Sequence, residues 1–306
     1  MANPIITAVF TGDYSAADEA VVNSALNFYQ QNMTSTFALT IDFGTQAANT
    51  GASSNKYVYN SIAYSSYYKA LTANQNSANA SAIASLGGAS PTNPVNGASG
   101  IALTTTLAGM LGLAPQVTAT FASCGNLSGS ACITINLSAL SAGNGGTPGV
   151  DLVSLVEHEF NEVLGTSSNL PGGSSATMPA TPSAADLFRY SAAGTRSWST
   201  NSSTSAPCSN STPNAYFSVD GGVTDLSNYN NCSNGGDYGD WANNPTIQVQ
   251  DAYGNGTSTA FLTLASPEVM LLEAVGYDFA VPEPAAAGLL LTGLVGLGWF
   301  RRGRTA

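Results

Sequence analysis

Charged side chains, and histidine above all, are scarce in this sequence. Of its 306 residues only 8% are charged, seven are Lys or Arg, and one is His. The formal net charge is −11, so nucleic-acid binding is not expected, because contacts with phosphates need a basic surface. A Ser or Cys hydrolase of the usual kind is also excluded, since the one histidine, His158, lies inside a different motif and the chain has no G-x-S-x-G pattern.

The cysteines are few, and their spacing predicts disulfides rather than a metal site. They are Cys124, Cys132, Cys208 and Cys232, and no two of them form a C-x-x-C pair. A site of four thiolates is therefore not expected. We predict two local disulfides, Cys124–Cys132 and Cys208–Cys232, which suit an exported protein.

The stretch 153–165 has the pattern of an amphipathic helix that carries a polar cluster. Its apolar residues recur at helical spacing and predict a buried stripe of Val153, Val156, Phe160, Val163 and Leu164. His158, Glu159 and Glu162 fall on the opposite side, and His158 and Glu162, at i and i+4, are spaced to grip one ion. Gly165 stands where the end of a helix needs a residue that tolerates positive φ. The alternative is a helix that merely carries these polar residues on its solvent face.

The motif His158-Glu159-x-x-Glu162 resembles the HExxH motif of zinc proteases, with Glu in place of the second His. Extended to Gly165 and Ser168, it also resembles the longer metzincin motif HExxHxxGxxH. The resemblance implies a metal held by His158 and Glu162, with Glu159 as the general base that activates a metal-bound water.

A third ligand has to come from elsewhere, and Asp186 is the first candidate because it follows the helix as the third metzincin ligand does. The alternative is that Asp186 caps a turn. Ser168 is in the metzincin register but is a poor ligand when neutral, and Tyr190 is a candidate for stabilising an oxyanion. One imidazole and two carboxylates neutralise a divalent ion more fully than two or three His do, so we expect Zn²⁺ or another divalent metal of reduced Lewis acidity.

A second acidic segment, Gly-rich and centred on Asp237 and Asp240, is a candidate Ca²⁺ site because calcium prefers oxygen ligands. The alternative is that both are ordinary loop residues.

The order of elements predicts an α+β fold. Strands over 5–10 and 37–43 flank a helix over 18–31, which favours two neighbouring parallel strands. Further predicted elements are one long or two short helices over 64–86, a linker over 87–100, a strand and short helix over 101–113, a strand over 132–137, a strand and turn over 216–222, and a last helix over 266–275. This order resembles the upper half of a zincin, in which the substrate lies along an edge strand of a mixed sheet beside the active-site helix. The resemblance implies a zincin-like domain over 1–280, with an upper subdomain over 1–165 and a loop-rich lower subdomain over 166–280.

Several segments together resemble a family of exported bacterial metalloprotease-like proteins. The matching segments are 157–165 around HExxE, 186–191 (DLFRYS), 216–222 (YFSVDGG), 236–241 (GDYGDW) and 274–278 (AVGYD). One departure is Thr166, where the family is expected to have Arg.

The C-terminal segment 281–306 resembles a PEP-CTERM sorting tail of Gram-negative bacteria. Val-Pro-Glu-Pro at 281–284 precedes an apolar run over 285–300, and Arg301, Arg302 and Arg304 follow. The resemblance implies export, transient anchoring in the inner membrane by 285–300, processing by an exosortase, and release to the cell surface or extracellular matrix. A plain C-terminal membrane anchor is the alternative.

Two functions follow from these patterns. The first is a secreted or surface metal-dependent endopeptidase that cleaves a peptide or protein substrate. The second is a catalytically inactive surface or biofilm-matrix protein on a zincin scaffold. Glu159 favours the enzyme, because an inactive scaffold has no need of a carboxylate beside His158.

Overall fold

The structure, a computed structural model, describes residues 3–46, 51–142, 150–170, 179–198, 215–233, 235–242, 246–252 and 260–280. The predicted tail, 281–306, lies outside these ranges. Within them, no helix has the length and the apolar character needed to cross a membrane.

The N-terminal part alternates strands and helices. Its elements are β1 (Ile5–Phe10), α1 (Ala16–Asn32), β2 (Ala38–Thr45), β3 (Ala52–Lys56), β4 (Val58–Ala63), α2 (Tyr64–Ala73), α3 (Ala80–Ser85), β5 (Gly100–Thr104), α4 (Thr105–Met110), β6 (Ala119–Phe121), β7 (Leu127–Gly129), β8 (Ala131–Ile135), α5 (Leu137–Ala142) and α6 (Val150–Leu164). The stretch predicted over 64–86 therefore forms two short helices.

The C-terminal part has shorter elements. They are a 3₁₀ turn (Ala185–Phe188), β9 (Arg189–Ala192), β10 (Thr195–Arg196), β11 (Tyr216–Phe217), β12 (Ser227–Asn228) and α7 (Pro267–Val275). The predicted last helix over 266–275 is confirmed by α7.

The main sheet is mixed and has the strand order β1-β2-β8-β3. Strands β1, β2 and β8 run parallel, which confirms the predicted parallel pair, whereas β3 pairs antiparallel with β8. Strand β3 was not predicted, because its sequence, Ala-Ser-Ser-Asn-Lys, has no apolar alternation. Strand β3, which is antiparallel to its neighbour β8, thus forms one edge of the sheet.

Helices α1 and α6 pack together on one face of this sheet. Helix α1 begins at Ser15, whose hydroxyl accepts from the Asp18 amide while the Asp18 carboxylate accepts from the Ser15 amide. From β2, the side chains of Leu39, Ile41 and Phe43 enter the core. The alternation of apolar residues along β2 therefore directs one face toward the helices.

The predicted disulfide Cys124–Cys132 is present. It links the short 3₁₀ turn Ala122–Cys124 to β8. Cys232 is disulfide-bonded as well, whereas Cys208, its predicted partner, lies outside the described residues.

Candidate metal centre

Helix α6 carries the candidate site on the side opposite its apolar stripe. Val156, Phe160, Val163 and Leu164 are fully buried, as the helical spacing predicts. The other side does not face solvent, because it packs against β3 and Glu159 and Glu162 are each only 6% exposed. The alternative of a polar solvent face is therefore wrong.

Three side chains converge at this helix. One ligand atom from each of His158, Glu162 and Asp240 lies within 4.8 Å of the others. The Nε2 atom of His158 is 3.4 Å from Oδ1 of Asp240. Two ligand atoms at about 2.1 Å from a tetrahedral ion lie roughly 3.4 Å apart, so this pair has the spacing of two metal ligands.

The imidazole of His158 is oriented by a backbone carbonyl. Its Nδ1 lies 3.0 Å from the oxygen of Val249. A carbonyl only accepts, so Nδ1 carries the proton, and in the neutral ring Nε2 presents its lone pair toward Asp240. Metal-binding histidines usually have such an outer partner, which selects the tautomer and fixes the ring.

Asp240 is held by Gln250, the residue after Val249. The side-chain amide nitrogen of Gln250 donates to Oδ1 of Asp240 at 2.9 Å. Glu268, from α7, accepts from the Gln250 backbone amide at 3.0 Å and from the Trp241 indole at 3.1 Å. A buried carboxylate of the last helix thereby ties together the two chain segments that place Asp240 and Val249.

Glu162 is held by the edge strand. The Ser54 hydroxyl donates to its Oε2 at 2.6 Å, and the Lys56 ammonium lies 3.0 Å from the same oxygen. Burial raises the pKa of Glu162, but Lys56, with His158 and Ser54, outweighs burial and lowers it below its ordinary value. Glu162 is therefore ionised at neutral pH and suited to bind a cation.

Glu159, one residue after His158, lies within the same electrostatic field. Burial raises its pKa to about 7, although His158, Lys56 and Ser54 act in the opposite direction. Burial lowers the pKa of His158, but the carboxylates of Asp240, Glu159 and Glu162 outweigh burial and raise it to about 9. The cluster is thus a buried group of carboxylates that attracts positive charge.

Two cavities open beside the cluster. One, of about 440 Å³, is lined by Glu162 and Asp237 among others, and the second, of about 300 Å³, lies against β5 and the end of α6. Both cavities share Ser54, Lys56 and Ser167. Space for a ligand therefore exists beside Ser54 and Lys56, the residues of the edge strand that contact Glu162.

Asp186 is not part of this group, and the geometry does not support it as the third ligand. Its Oδ1 accepts from the Ser168 hydroxyl at 2.5 Å, and its Oδ2 accepts from the amides of Asn169 and Ser183 at 3.1 and 2.8 Å. Both oxygens are used to cap a loop, which was the alternative for Asp186. Ser168 serves the same loop.

Tyr190 also lies away from the cluster. Its ring is 1% exposed, its hydroxyl donates to Ser85 at 3.4 Å, and the Arg196 guanidinium lies over its face. Among the described residues it makes no contact with the cluster, so the geometry gives no support to Tyr190 as an oxyanion donor.

Asp240 and Lys56 have roles at the site that the sequence did not predict for them. The sequence indicates Asp240 only as a candidate calcium ligand together with Asp237, and Asp237 is not a member of the three-ligand group. The chain has only seven basic residues. The rarity of lysine is therefore the one feature of the sequence that could have marked Lys56 as a candidate site residue.

The donor set fits a divalent metal ion. When an ion replaces the proton on Nε2 of His158, one neutral imidazole nitrogen and two carboxylate oxygens can neutralise a dication, and each ligand has an outer partner that orients it. The group His158, Glu162 and Asp240 could therefore hold a metal ion.

No protein-family model, curated protein or solved structure matches this chain.

Proposed function

We propose that this protein is a metal-dependent endopeptidase in which His158, Glu162 and Asp240 hold the ion and Glu159 is the general base. The observation that carries the proposal is the convergence of three potential ligands beside a fourth buried carboxylate, that of Glu159 on helix α6. The sequence resemblance to zincins and to exported metalloprotease-like proteins supports it. Zn²⁺ is the proposed ion, because the HExxE motif resembles the HExxH motif of zinc proteases and the group includes an imidazole nitrogen.

The residues of this chain would divide the reaction among them. The ion supplies Lewis acidity and activation of water. Glu159 takes a proton from the attacking water and passes it on to the leaving amine. Val249, Gln250 and Ser54 keep the ligands in place, so little reorganisation is needed during reaction.

A peptide substrate is supported by the edge strand. Strand β3 has β8 on one side and lies at the end of the sheet, and its residues Ser54 and Lys56 contact Glu162. Among the described residues β3 pairs with β8 alone. An extended peptide that pairs with the other edge of β3 would run past the proposed metal centre, with side chains directed into the two cavities.

For the location of the protein, the segment 281–306 supports export, exosortase processing and release to the surface or matrix.

Metal content of the purified chain tests the proposal. We expect one equivalent of Zn²⁺ in the wild type and in Glu159→Gln, and loss of the metal in His158→Ala. Asp240→Asn should lose most of the metal, whereas Asp186→Asn should retain it, because Asp186 caps a loop instead. Glu159→Gln should lose peptidase activity by about 10²-fold or more while keeping its metal. Full loading together with undiminished activity in Glu159→Gln would refute the role of base.

One observation favours the second candidate, an inactive surface or matrix protein. The cluster already contains its own cations, since Lys56 pairs with Glu162 and His158 lies 3.4 Å from Asp240. A wild-type protein that binds no transition metal at neutral pH would favour this reading, in which the cluster is a buried ion-pair network.

A further inference from the structure

We propose that Lys56 is a positioning residue that regulates the metal centre: it holds Glu162 by one oxygen and acts as a resident cation that weakens metal binding and restricts which ions are retained. The inference rests on the metal site proposed above. It assigns a role to a residue on the edge strand, outside the ligand set.

Three hydrogen bonds join Lys56, Ser54 and Glu162. The ammonium of Lys56 contacts Oε2 of Glu162 at 3.0 Å and the Ser54 hydroxyl at 3.1 Å, and that hydroxyl donates to the same Oε2 at 2.6 Å. Both donors to Glu162 therefore converge on one oxygen. Among the described residues Oε1 accepts no hydrogen bond, so it is the oxygen left for an ion.

This arrangement limits Glu162 to one metal bond. A carboxylate whose second oxygen is held by an ammonium and a hydroxyl cannot turn to bind an ion through both oxygens without breaking those bonds. Zinc is satisfied by four ligands, whereas Ca²⁺ needs six to eight oxygens and commonly uses a bidentate carboxylate. Lys56 therefore favours ions of low coordination number.

The charge of Lys56 acts in the same direction. Among the described residues, its contact with Glu162 is the only ion pair between a Lys or Arg and a carboxylate. Its side chain is 15% exposed and that of Glu162 8%, so solvent screens the charges poorly. Before an ion binds, the ammonium offsets the repulsion among Glu159, Glu162 and Asp240. After an ion binds, it repels the ion across Glu162.

The two effects of removing Lys56 can be ranked. Loss of one hydrogen bond leaves Glu162 held by Ser54 and has a modest effect. Loss of a full positive charge a few ångströms from a dication, in a site of reduced dielectric, is the larger effect. Removal of the charge is therefore expected to strengthen metal binding.

The test is a direct measurement of metal affinity on the full chain. Zn²⁺ would be titrated in competition with a chromophoric chelator and Ca²⁺ by calorimetry, for wild type, Lys56→Met, Lys56→Gln and Lys56→Arg. We expect Lys56→Met and Lys56→Gln to bind Zn²⁺ about tenfold more tightly than wild type. Ca²⁺ affinity should rise by a larger factor, because Oε2 of Glu162 is then held by the Ser54 hydroxyl alone and turns more easily toward an ion. Lys56→Arg should stay near the wild type.

Lys69→Met is the matched control. Lys69 is exposed on α2, so this variant changes the net charge by the same amount without touching the site. The inference is overturned if Lys56→Met and Lys56→Gln bind Zn²⁺ no more tightly than wild type, or if Lys69→Met has the same effect as they do. If neither the wild type nor any Lys56 variant binds metal, the proposed metal site fails and the inference with it. If the wild type binds metal and the Lys56 variants bind it with the same affinity, the proposed metal site is supported and only the inference about Lys56 is refuted.

Discussion

The carboxylates around His158 differ in what holds them, and this difference assigns their roles. Glu162 is fixed by a strand and Asp240 by a glutamine side chain, whereas Glu159 is buried beside them and is not a member of the three-ligand group. Asp186 is also a carboxylate, but both of its oxygens accept hydrogen bonds from loop residues. At this scale, function depends on which carboxylate oxygens are left uncommitted.

Thr166 shows the converse, a buried polar group without a partner. Its side chain is 1% exposed, and its hydroxyl finds no hydrogen bond among the described residues. We expect Thr166→Val to raise the free energy of unfolding by about 1 kcal/mol, because a valine of the same shape removes the buried hydroxyl. Chemical denaturation would measure the change.

Thr104→Val is the control for that prediction. The Thr104 hydroxyl caps α4 by accepting from the Leu107 amide at 3.2 Å, so the same substitution there should destabilise by about 1 kcal/mol. Equal and destabilising effects at the two positions would show that the Thr166 hydroxyl has a partner in solution.

At the scale of elements, three pieces of secondary structure assemble the site. Helix α6 presents His158 and Glu162, strand β3 holds Glu162, and helix α7 anchors the loops that carry Asp240 and Val249. Helix α7 packs against α6, and its Glu268 is 1% exposed. The last helix is therefore a support for the candidate metal centre, although it contributes no member of the three-ligand group found among the described residues.

Glu268→Ala tests this support. It would leave the Trp241 indole and the Gln250 amide buried without an acceptor, at a cost of about 3 kcal/mol in stability. Metal affinity should fall as well, because Asp240 and Val249 lose their anchor. Glu268→Gln keeps Oε1 as an acceptor and should retain both properties far better. Metal binding at wild-type affinity in Glu268→Ala, after allowance for unfolded protein, would contradict the support role.

For the molecule as a whole, buried carboxylates connect stability to pH. Burial, with a contribution from Asp278, raises the pKa of Glu273 to about 7 from its ordinary value of 4.5. In the unfolded chain Glu273 ionises near its ordinary pKa, so between about 4.5 and 7 the folded state binds more protons. The contribution of Glu273 to stability therefore falls as pH rises through that window and stays low above it.

Glu273→Gln should remove this dependence. We expect the variant to match the wild type at pH near 4.5 and to be more stable above pH 7 by about 1 kcal/mol, a figure reduced because Glu273 is partly exposed. Thermal unfolding from pH 4.5 to 8 gives the comparison. Parallel curves for the two proteins over that range would contradict the prediction.

Local patterns in the sequence were sufficient for every described helix except the short α5 and for most of the main sheet. The spacing of Val156, Phe160 and Val163 predicts α6, and the alternation along β2 predicts a strand with one buried face, because both patterns follow from backbone geometry. His158, Glu159 and Glu162 lie on a single helix, so their mutual positions are also local. The disulfide Cys124–Cys132 spans only a short loop and was predictable for the same reason.

The third ligand and the cation at the site were decided by tertiary structure. Asp240 and Lys56 lie 78 and 106 residues from Glu162 along the chain, and no local pattern relates them to the helix. Asp186 and Asp240 are the same residue type after the same helix, and only the packing of α7 and the loops selects one of them. The sequence by itself therefore determined which helix carries the chemistry, whereas the fold determined which distant side chains complete it.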